Sequence, residues 1–297
     1  MPTFTLHRLP HLDGWHRTVS ERLVEHLRSQ GHSLQIQDTS TFELRFSRGR
    51  RQALPLRDSL CILEDGRTGA LRALDFHDWP DPFDVPELIR DVRLRVLLRC
   101  QYREDAFRGA RSHLIQPWTY FENDWPLPEQ RLEELRRRRR TEPRLHFRGH
   151  LWKEREPVVR ILQRRGVLGP DVERVPPGDY LEEMTRHRLV LSLPGMGEVC
   201  HRDIEAFAVG SCVLRLQPRN RFHDELRPDH HFVSVPANVD RDPPEVVAEH
   251  IERRFHQVIQ NAGYLGFVAH NAQQWYDRNV RWPASMRLTE ALLDLER

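Results

Sequence analysis

Lysine is almost missing from this chain: Lys153 is the only one among 46 Lys and Arg side chains. Schiff-base chemistry and the GK[ST] phosphate loop are thereby all but excluded. Cationic work falls to guanidinium, whose planar fork suits two-point grip on phosphate. Cysteine is scarce too. Cys61, Cys100, Cys200 and Cys212 lie far apart with no CxxC pair, which argues against a zinc ribbon or a disulfide framework and for free, buried thiols. No apolar run approaches the roughly 20 residues that span a bilayer. The start MPTFTLHRLP has no basic stretch followed by an apolar core, so no signal peptide and a cytoplasmic location are expected. The GxGxxG of dinucleotide folds is absent, which disfavours redox chemistry.

What remains is a balanced composition: 38% hydrophobic, 30% charged, formal net charge +2. This suits a soluble globular protein, and 297 residues allow two domains, each with its own core. In the first half, Val19 to Leu27 has helical spacing. SLQIQD and FELRFS look like strands, and SLCILED and LRALDF flank DGRTG as a hairpin. RLRVLLRCQY and SHLIQP suit further strands. From Pro128 a charged helix, EQRLEELRRRRR, runs to a break at Thr141-Glu142-Pro143, where a domain boundary is expected. The second half then alternates strand and helix: RLHFRGH, Glu154 to Arg165, DVERVP, Tyr180 to Arg186, HRLVLS, a helix, a second strand, HHFVSVP and terminal helices. That alternation implies parallel crossovers, a doubly wound Rossmann-like domain, and a ligand at the carboxyl ends of the strands.

The most informative stretch is HRLVLSLPGMGEVCHRDIEAFAVGSCVLRLQ, His187 to Gln217. It reads as strand, glycine turn, helix, turn and strand. Gly195 and Gly197 would let phosphates approach the backbone, and Glu198, His201, Arg202 and Glu205 cluster where the turn becomes helix. A helix N-terminus offers unpaired N–H groups and a positive dipole end, so it holds anions. An arginine there opposes the dipole unless an anion accompanies it. Arg148 of FRGH falls at the carboxyl end of the half's first strand and would point at the same crevice, or else form a surface ion pair.

In the first half, LDFHDWPDPFD gathers Asp75, His77, Asp78, Asp81 and Asp84 after an apolar strand. The cluster could supply a carboxylate base, cap a helix from Asp84, or bind a divalent ion. IQPWTYFENDWP collects Trp118, Tyr120, Phe121 and Trp125 around Glu122 and Asp124, as a stacking platform for a sugar or base, or as core. Arg136 to Arg140 could meet nucleic acid but end an acidic helix, where positive charge complements the dipole. A solvated helix end is the reading preferred.

Taken in order, DWP at Asp78, PWTYFE at Pro117, FRG with ER-EP at Phe147 to Pro157, HRLVLSLPG with R-x7-GS at Arg202 to Ser211, and HHFVSVPANVD at His230 resemble the family 90 glycosyltransferases. That group includes protein O-glucosyltransferases and capsule-associated xylosyltransferases. The resemblance covers about two hundred residues in colinear order. It implies an α/β GT-B fold, two Rossmann-like domains facing a central cleft, with an acceptor domain over 1–142, a nucleotide-sugar domain over 143–270, and helices over 271–297 crossing back. It implies Asp78 as catalytic base. Arg148, His150, Arg155 and Arg202 would lie on the donor side with Gly195, Gly197, Glu198, His201 and Glu205. His77, Asp81, Trp118 and Glu122 would lie on the acceptor side. Two features depart from the family: His150 stands where the animal enzymes have serine, and PGMGEVCHRDIEA is closer to the donor loop of exostosin-like and other GT-B transferases.

The implied chemistry is inverting and metal-independent transfer from a nucleoside-diphosphate sugar, expected to be a UDP-sugar, to a glycan, peptide or small-molecule hydroxyl. No cofactor beyond that co-substrate, no nucleic-acid partner and no transmembrane segment are expected. Two other classes compete: a non-catalytic nucleotide or nucleic-acid binder using the arginine face, and a metal-dependent phosphate-transfer or hydrolytic enzyme using Asp75 to Asp84. Trp275, Tyr276 and Trp282 are expected to pack between domains.

Overall fold

The computed structural model describes residues 3–12, 14–77, 85–122, 128–151, 154–195 and 197–295. The chain is mixed α/β and divides into two units. The first comprises Met1–Asp124, Asn220–His223 and Trp282–Arg297; the second comprises Trp125–Arg219 and Asp224–Arg281. Among the described residues no helix is long and apolar enough to cross a membrane.

The first unit is built on β1 (Thr3–Arg8), α1 (Gly14–Ser29), β2 (Ser33–Asp38), a hairpin of β3 (Thr41–Arg45) and β4 (Arg51–Pro55), then β5 (Leu60–Asp65) and β6 (Leu71–Asp75). It continues through α2 (Val85–Leu88), β7 (Leu94–Arg99) and β8 (Ile115–Pro117). Its six-stranded sheet has the order β2-β1-β5-β6-β7-β8. Only β5 runs against the others, because it pairs antiparallel with both β1 and β6 while the remaining pairs are parallel. The expected DGRTG hairpin is the β5–β6 pair. On α1 the spacing of Val19, Leu23, Val24 and Leu27 buries one stripe. Against that helix lies the last helix of the chain, where Glu290 accepts from His26 Nε2 at 2.9 Å.

The second unit begins with α3 (Glu129–Arg137) and runs through β9 (Glu142–His146), α4 (Arg155–Arg164), α5 (Pro177–Met184), β10 (His187–Ser192), α6 (His201–Ala208), β11 (Val213–Leu216) and β12 (Val233–Val235). It ends with α7 (Pro244–Val258) and α8 (Ala262–Asn279), while α9 (Ala284–Leu293) belongs to the first unit. Its sheet, β12-β11-β10-β9, is parallel throughout. Leu145, Leu189, Leu191, Leu214 and Val233 form its core with Val158 and Leu162 of α4 and Ile251 of α7.

Two expectations change, and the tryptophans find partners inside their own units. The division falls between Asp124 and Trp125, ahead of 142, because α3 is tied to the second unit: Arg136 Nε donates to Ala208 O at 2.8 Å and its Nη2 to Asp277 at 2.7 Å. DVERVP forms no strand. Prolines stand on both sides at Pro170 and Pro176, which cannot donate to a ladder, and the parallel bridge on that edge of β9, Leu145 with Leu168, falls ahead of the segment. Trp275 packs within the second unit, edge-on to Phe207 with Nε1 donating to Asp224 O at 2.7 Å, while Trp282 sits in the first unit under the Arg22 guanidinium.

Candidate functional site

In the second unit the chain leaves β9, reaches the outer edge at Leu168, and returns to β10 on the other side of β9. The direction of winding therefore reverses between β9 and β10, and their carboxyl ends diverge into the crevice where open α/β sheets bind ligands. Two exits line it: Phe147-Arg148-Gly149-His150 after β9, and Leu193-Pro194-Gly195 after β10.

Two arginines stitch these exits crosswise. Arg155 opens α4, the helix after β9, yet donates to the exit of β10: Nε to Pro194 O at 2.6 Å and Nη2 to Leu193 O at 2.8 Å. Arg202, second residue of α6 after β10, donates to the exit of β9 through Nε and Nη2 to Arg148 O at 3.1 and 2.5 Å, and lies 4.4 Å over the Phe147 ring. Both are buried, at 6% and 7% exposure.

The glycines follow from this arrangement. A Cβ at Gly149, whose φ is +151°, would sit 2.2 Å from Arg202 Nη2, and one at Gly195 would sit 2.6 Å from Arg155 Nη2. At Gly195 the space a side chain would fill is taken by the Arg155 guanidinium, a second reason for glycine beside the expected approach of a phosphate.

Neither Arg155 nor Arg202 forms an ion pair with a carboxylate among the described residues, whereas the other guanidinium of the element does. Arg148 turns from the crevice and grips Glu183 with both prongs, Nε to Oε2 at 2.7 Å and Nη2 to Oε1 at 2.9 Å. The open alternative of an ion pair is thus the one adopted for Arg148, though with Glu183 as its partner.

Between the two buried arginines lies Cys200, N-cap of α6, its Sγ 4.0 Å from both Arg155 Nη2 and Arg202 Nη1 and 3.5 Å from Ser192 Oγ. Burial and then Asp203 push its thiol up, outweighing the two guanidiniums. Burial pulls Arg155 below the ordinary arginine value. For Arg202 burial acts the same way, but Tyr180, Cys200, Asp203 and Glu205 outweigh it and raise the value. Arginine stays charged under either shift.

The turn itself is braced from below. Asp203 accepts from Cys200 N at 2.9 Å and pairs with Arg215 of β11 at 3.0 Å, both side chains fully buried, and Arg215 Nη2 holds Glu198 O at 2.7 Å. The Glu198 carboxylate accepts from Arg219, Nε at 2.9 Å, so it anchors the turn to the segment after β11. Gly197 is buried, and His201 and Glu205 are half-buried on the first turns of α6. His150 is exposed, with Nε2 3.1 Å from Arg174 Nη1, and its carbonyl accepts from Arg155.

In the first unit, Asp75 ends β6. Its Oδ1 accepts from His77 N at 3.0 Å, and its Oδ2 takes a short contact from the fully buried Arg99 of β7. His77 lines a small recess with Arg57, Ser59 and Asp75. Asp78 and Asp81 lie outside the described residues. Trp118 is core rather than platform, 1% exposed, with Nε1 donating to Thr289 Oγ1 at 3.0 Å and Phe121 edge-on at 4.7 Å. Glu122 accepts from Arg22 Nη1 at 3.1 Å. Among the described residues no three His, Cys, Asp or Glu side chains could hold a metal ion.

No family model matches the chain, and no curated protein matches it. Among solved structures, a glycosyltransferase from Rickettsia africae ESF-5 aligns with a TM-score of 0.46 and 11% identity over 73% of this chain and 69% of its own. A mutant S. aureus TarM, in complex with Fondaparinux, alpha-GlcNAc-glycerol and UDP, gives 0.43 and 9% over 99% of this chain and 100% of that one. A sucrose-phosphate synthase from Thermosynechococcus elongatus gives 0.34 and 14%, over 50% of this chain and 36% of its own.

Sequence reasoning missed Asp203, Arg215, Cys200 and Glu183. A signal for the first existed: Cys200-x-x-Asp203 is a capping box, hidden because cysteine is not a usual cap. The basic run was also misjudged in part. Arg136 and Arg140 point inward and donate to Ala208 O and Val209 O, at 2.8 and 2.7 Å, which satisfies carbonyls at the end of α6.

Proposed function

We propose that this chain is a GT-B glycosyltransferase, resembling family 90, that moves a sugar from a nucleoside-diphosphate donor, expected to be a UDP-sugar, to an acceptor hydroxyl with inversion and without a metal ion. The observation that carries the reading is the pair Arg155 and Arg202: two buried cations at a topological switch point with carbonyls but no carboxylate as partners. Buried charges are otherwise paired, and the positive end of α6 lies beside them. A diphosphate supplies the missing negative charge. Arg202 keeps the diphosphate role that the resemblance implies for it and for Arg148, and in this reading Arg155 stands in for Arg148, which Glu183 neutralises.

In this reading the two guanidiniums stabilise the charge that accumulates on the departing diphosphate, as a divalent cation does elsewhere. Asp78, carried over from the D-W-P resemblance, removes the proton of the attacking hydroxyl. His201 and Glu205 stand on the first two turns of α6, where they would contact the leaving phosphate and the ribose or orient Arg202.

The test is turnover with a panel of UDP-sugars in EDTA, for wild type and Asp78→Asn. Transfer that persists in EDTA and falls by about 10²–10⁴-fold in the variant, with UDP affinity kept, is the expected result. Undiminished turnover in Asp78→Asn overturns the base assignment, and loss of activity in EDTA overturns metal independence.

A further inference from the structure

Asp203 is a carboxylate at an awkward place. Its side chain closes the capping box of α6 by accepting from Cys200 N at 2.9 Å, and a negative charge there suits the positive end of the helix. A diphosphate in the crevice would want the same end and the same two cations. Behind burial, which comes first for each, Asp203 is among the groups acting on both Arg155 and Arg202. Drawn into contact with either one, it would close the site as Glu183 closes Arg148.

Two contacts hold it back. The first is a spacer. Cys200 Sγ lies 3.4 Å from Asp203 Oδ2 and 4.0 Å from both Arg155 Nη2 and Arg202 Nη1. Burial, then Asp203, keeps the thiol protonated, so the spacer brings no charge of its own. The second contact is a rival cation on the far side. Arg215 of β11 brings Nη1 to 3.0 Å of Asp203 Oδ1. Its other nitrogens are already committed, Nε to Leu216 O at 3.1 Å and Nη2 to Glu198 O at 2.7 Å, and its guanidinium lies 5.5 Å over the Phe232 ring. The two carboxylate oxygens thus face different neighbours: Oδ1 the buried cation, Oδ2 the helix cap and the thiol.

The charges around Cys200 then do not cancel. Arg155, Arg202 and Arg215 are buried cations, and Asp203 is the buried carboxylate among them. Two positive charges are left over, both on the side of the crevice. Glu198 is taken by Arg219, and Glu205 is half-buried, where solvent screens it more than Asp203.

We propose that Arg215 is a positioning residue for the donor site: by holding the charge of Asp203 beneath the start of α6, it keeps Arg155 and Arg202 uncompensated and open to a diphosphate. The inference rests on the transferase reading of that crevice. Arg215 touches no ligand in this account and acts through Asp203.

The experiment is calorimetric titration of UDP in EDTA against the full chain as wild type, Arg215→Met, Asp203→Asn and Asp203→Asn/Arg215→Met. Freed from its partner, Asp203 should turn its charge on the crevice, so Arg215→Met weakens UDP by about tenfold or more at an effective dielectric constant near 20. Removing that charge as well should rescue binding, and the double variant regains most of the loss. Asp203→Asn alone keeps a side-chain oxygen for the cap and should bind UDP more tightly than wild type. A mere brace for the turn behaves otherwise, because the bond from Arg215 to Glu198 O is missing in the double variant as in the single one. Where Arg215→Met fails to fold with its buried, unpaired carboxylate, the other two variants decide. UDP binding that is as weak in the double variant as in Arg215→Met, or no tighter in Asp203→Asn than in wild type, overturns this inference and leaves the transferase reading standing. Wild type that does not bind UDP removes both.

Discussion

The two units solve the carboxyl end of a parallel sheet in opposite ways. In the first, Arg99 is fully buried and meets Asp75 across the ends of β7 and β6. In the second, Arg155 and Arg202 are almost as buried at the ends of β9 and β10 but hydrogen-bond only to carbonyl oxygens and a thiol, and no carboxylate among the described residues comes within ion-pair distance, although Asp203 and Glu205 act on Arg202 from farther off. The first arrangement is electrically closed and the second is not. A buried pair is complete in itself, whereas a buried cation that lacks its counterion is an unfinished site. The difference teaches that burial of an arginine says little about function until its partner is named. By that criterion Arg148, the most prominent arginine of the FRG element, belongs with Arg99, since Glu183 closes it.

The comparison breaks first at Arg99. Arg99→Met leaves Asp75 buried without its cation and should cost about 3–5 kcal/mol of stability, read as a shift in the urea midpoint of the first unit, with UDP affinity unchanged. A midpoint within error of wild type would show that the pair is not closed in the sense argued. Arg202→Met should do the reverse. Loss of one charged donor is worth about 3 kcal/mol in the transition state, on the order of a hundredfold in kcat/KM, while stability moves by less than about 1 kcal/mol because a buried, uncompensated charge is removed with the bonds it makes. A large loss of stability with nucleotide affinity intact would place Arg202 with Arg99 as a structural residue.

Gly149→Ala sharpens the contrast without touching a charge. Its Cβ would fall 2.2 Å from Arg202 Nη2, so the guanidinium must move; UDP affinity should drop by about tenfold, corresponding to roughly 1.4 kcal/mol, and calorimetry with UDP checks it. Unchanged affinity would mean that the position of Arg202 against the β9 exit does not matter.

The smallest effect is the response to acid. His146 is held down to about 3, by burial first. In the unfolded chain it titrates near 6.5, so the unfolded state binds more protons between those values and stability falls as pH drops through that window. Glu183, drawn below its ordinary value mainly by Arg148 and His146 against the opposing effect of burial, adds stability that is lost as pH falls further. Acid titration of the second unit followed by tryptophan fluorescence should therefore show a lower midpoint in His146→Phe than in wild type, and an equal or higher midpoint would contradict the assignment.

Much of the architecture was legible because it rests on local pattern. The stripe Val19, Leu23, Val24, Leu27 is a helix from spacing alone, SLQIQD is β2 residue for residue, and DGRTG between apolar runs is a hairpin. The elements that failed depend on what lies elsewhere in the chain. DVERVP has strand-like composition, but flanking prolines deny it ladder donors. In the sequence a glycine looks alike whether a ligand or a distant guanidinium takes the space beside it, so the contact of Arg155 with Gly195 was not legible. No one-dimensional signal links Gly195 to Arg155 or Gly149 to Arg202. Trp118 beside aromatic and acidic neighbours resembles a stacking platform, and its partner Thr289 stands at the other end of the sequence.

The central claim is that Arg155 and Arg202 await a diphosphate. Isothermal titration of UDP in EDTA against wild type and Arg202→Met tests it most directly. The account predicts metal-free binding by wild type and a loss on the order of a hundredfold in the variant; equal affinity in the two proteins, or binding that requires a divalent cation, would contradict it.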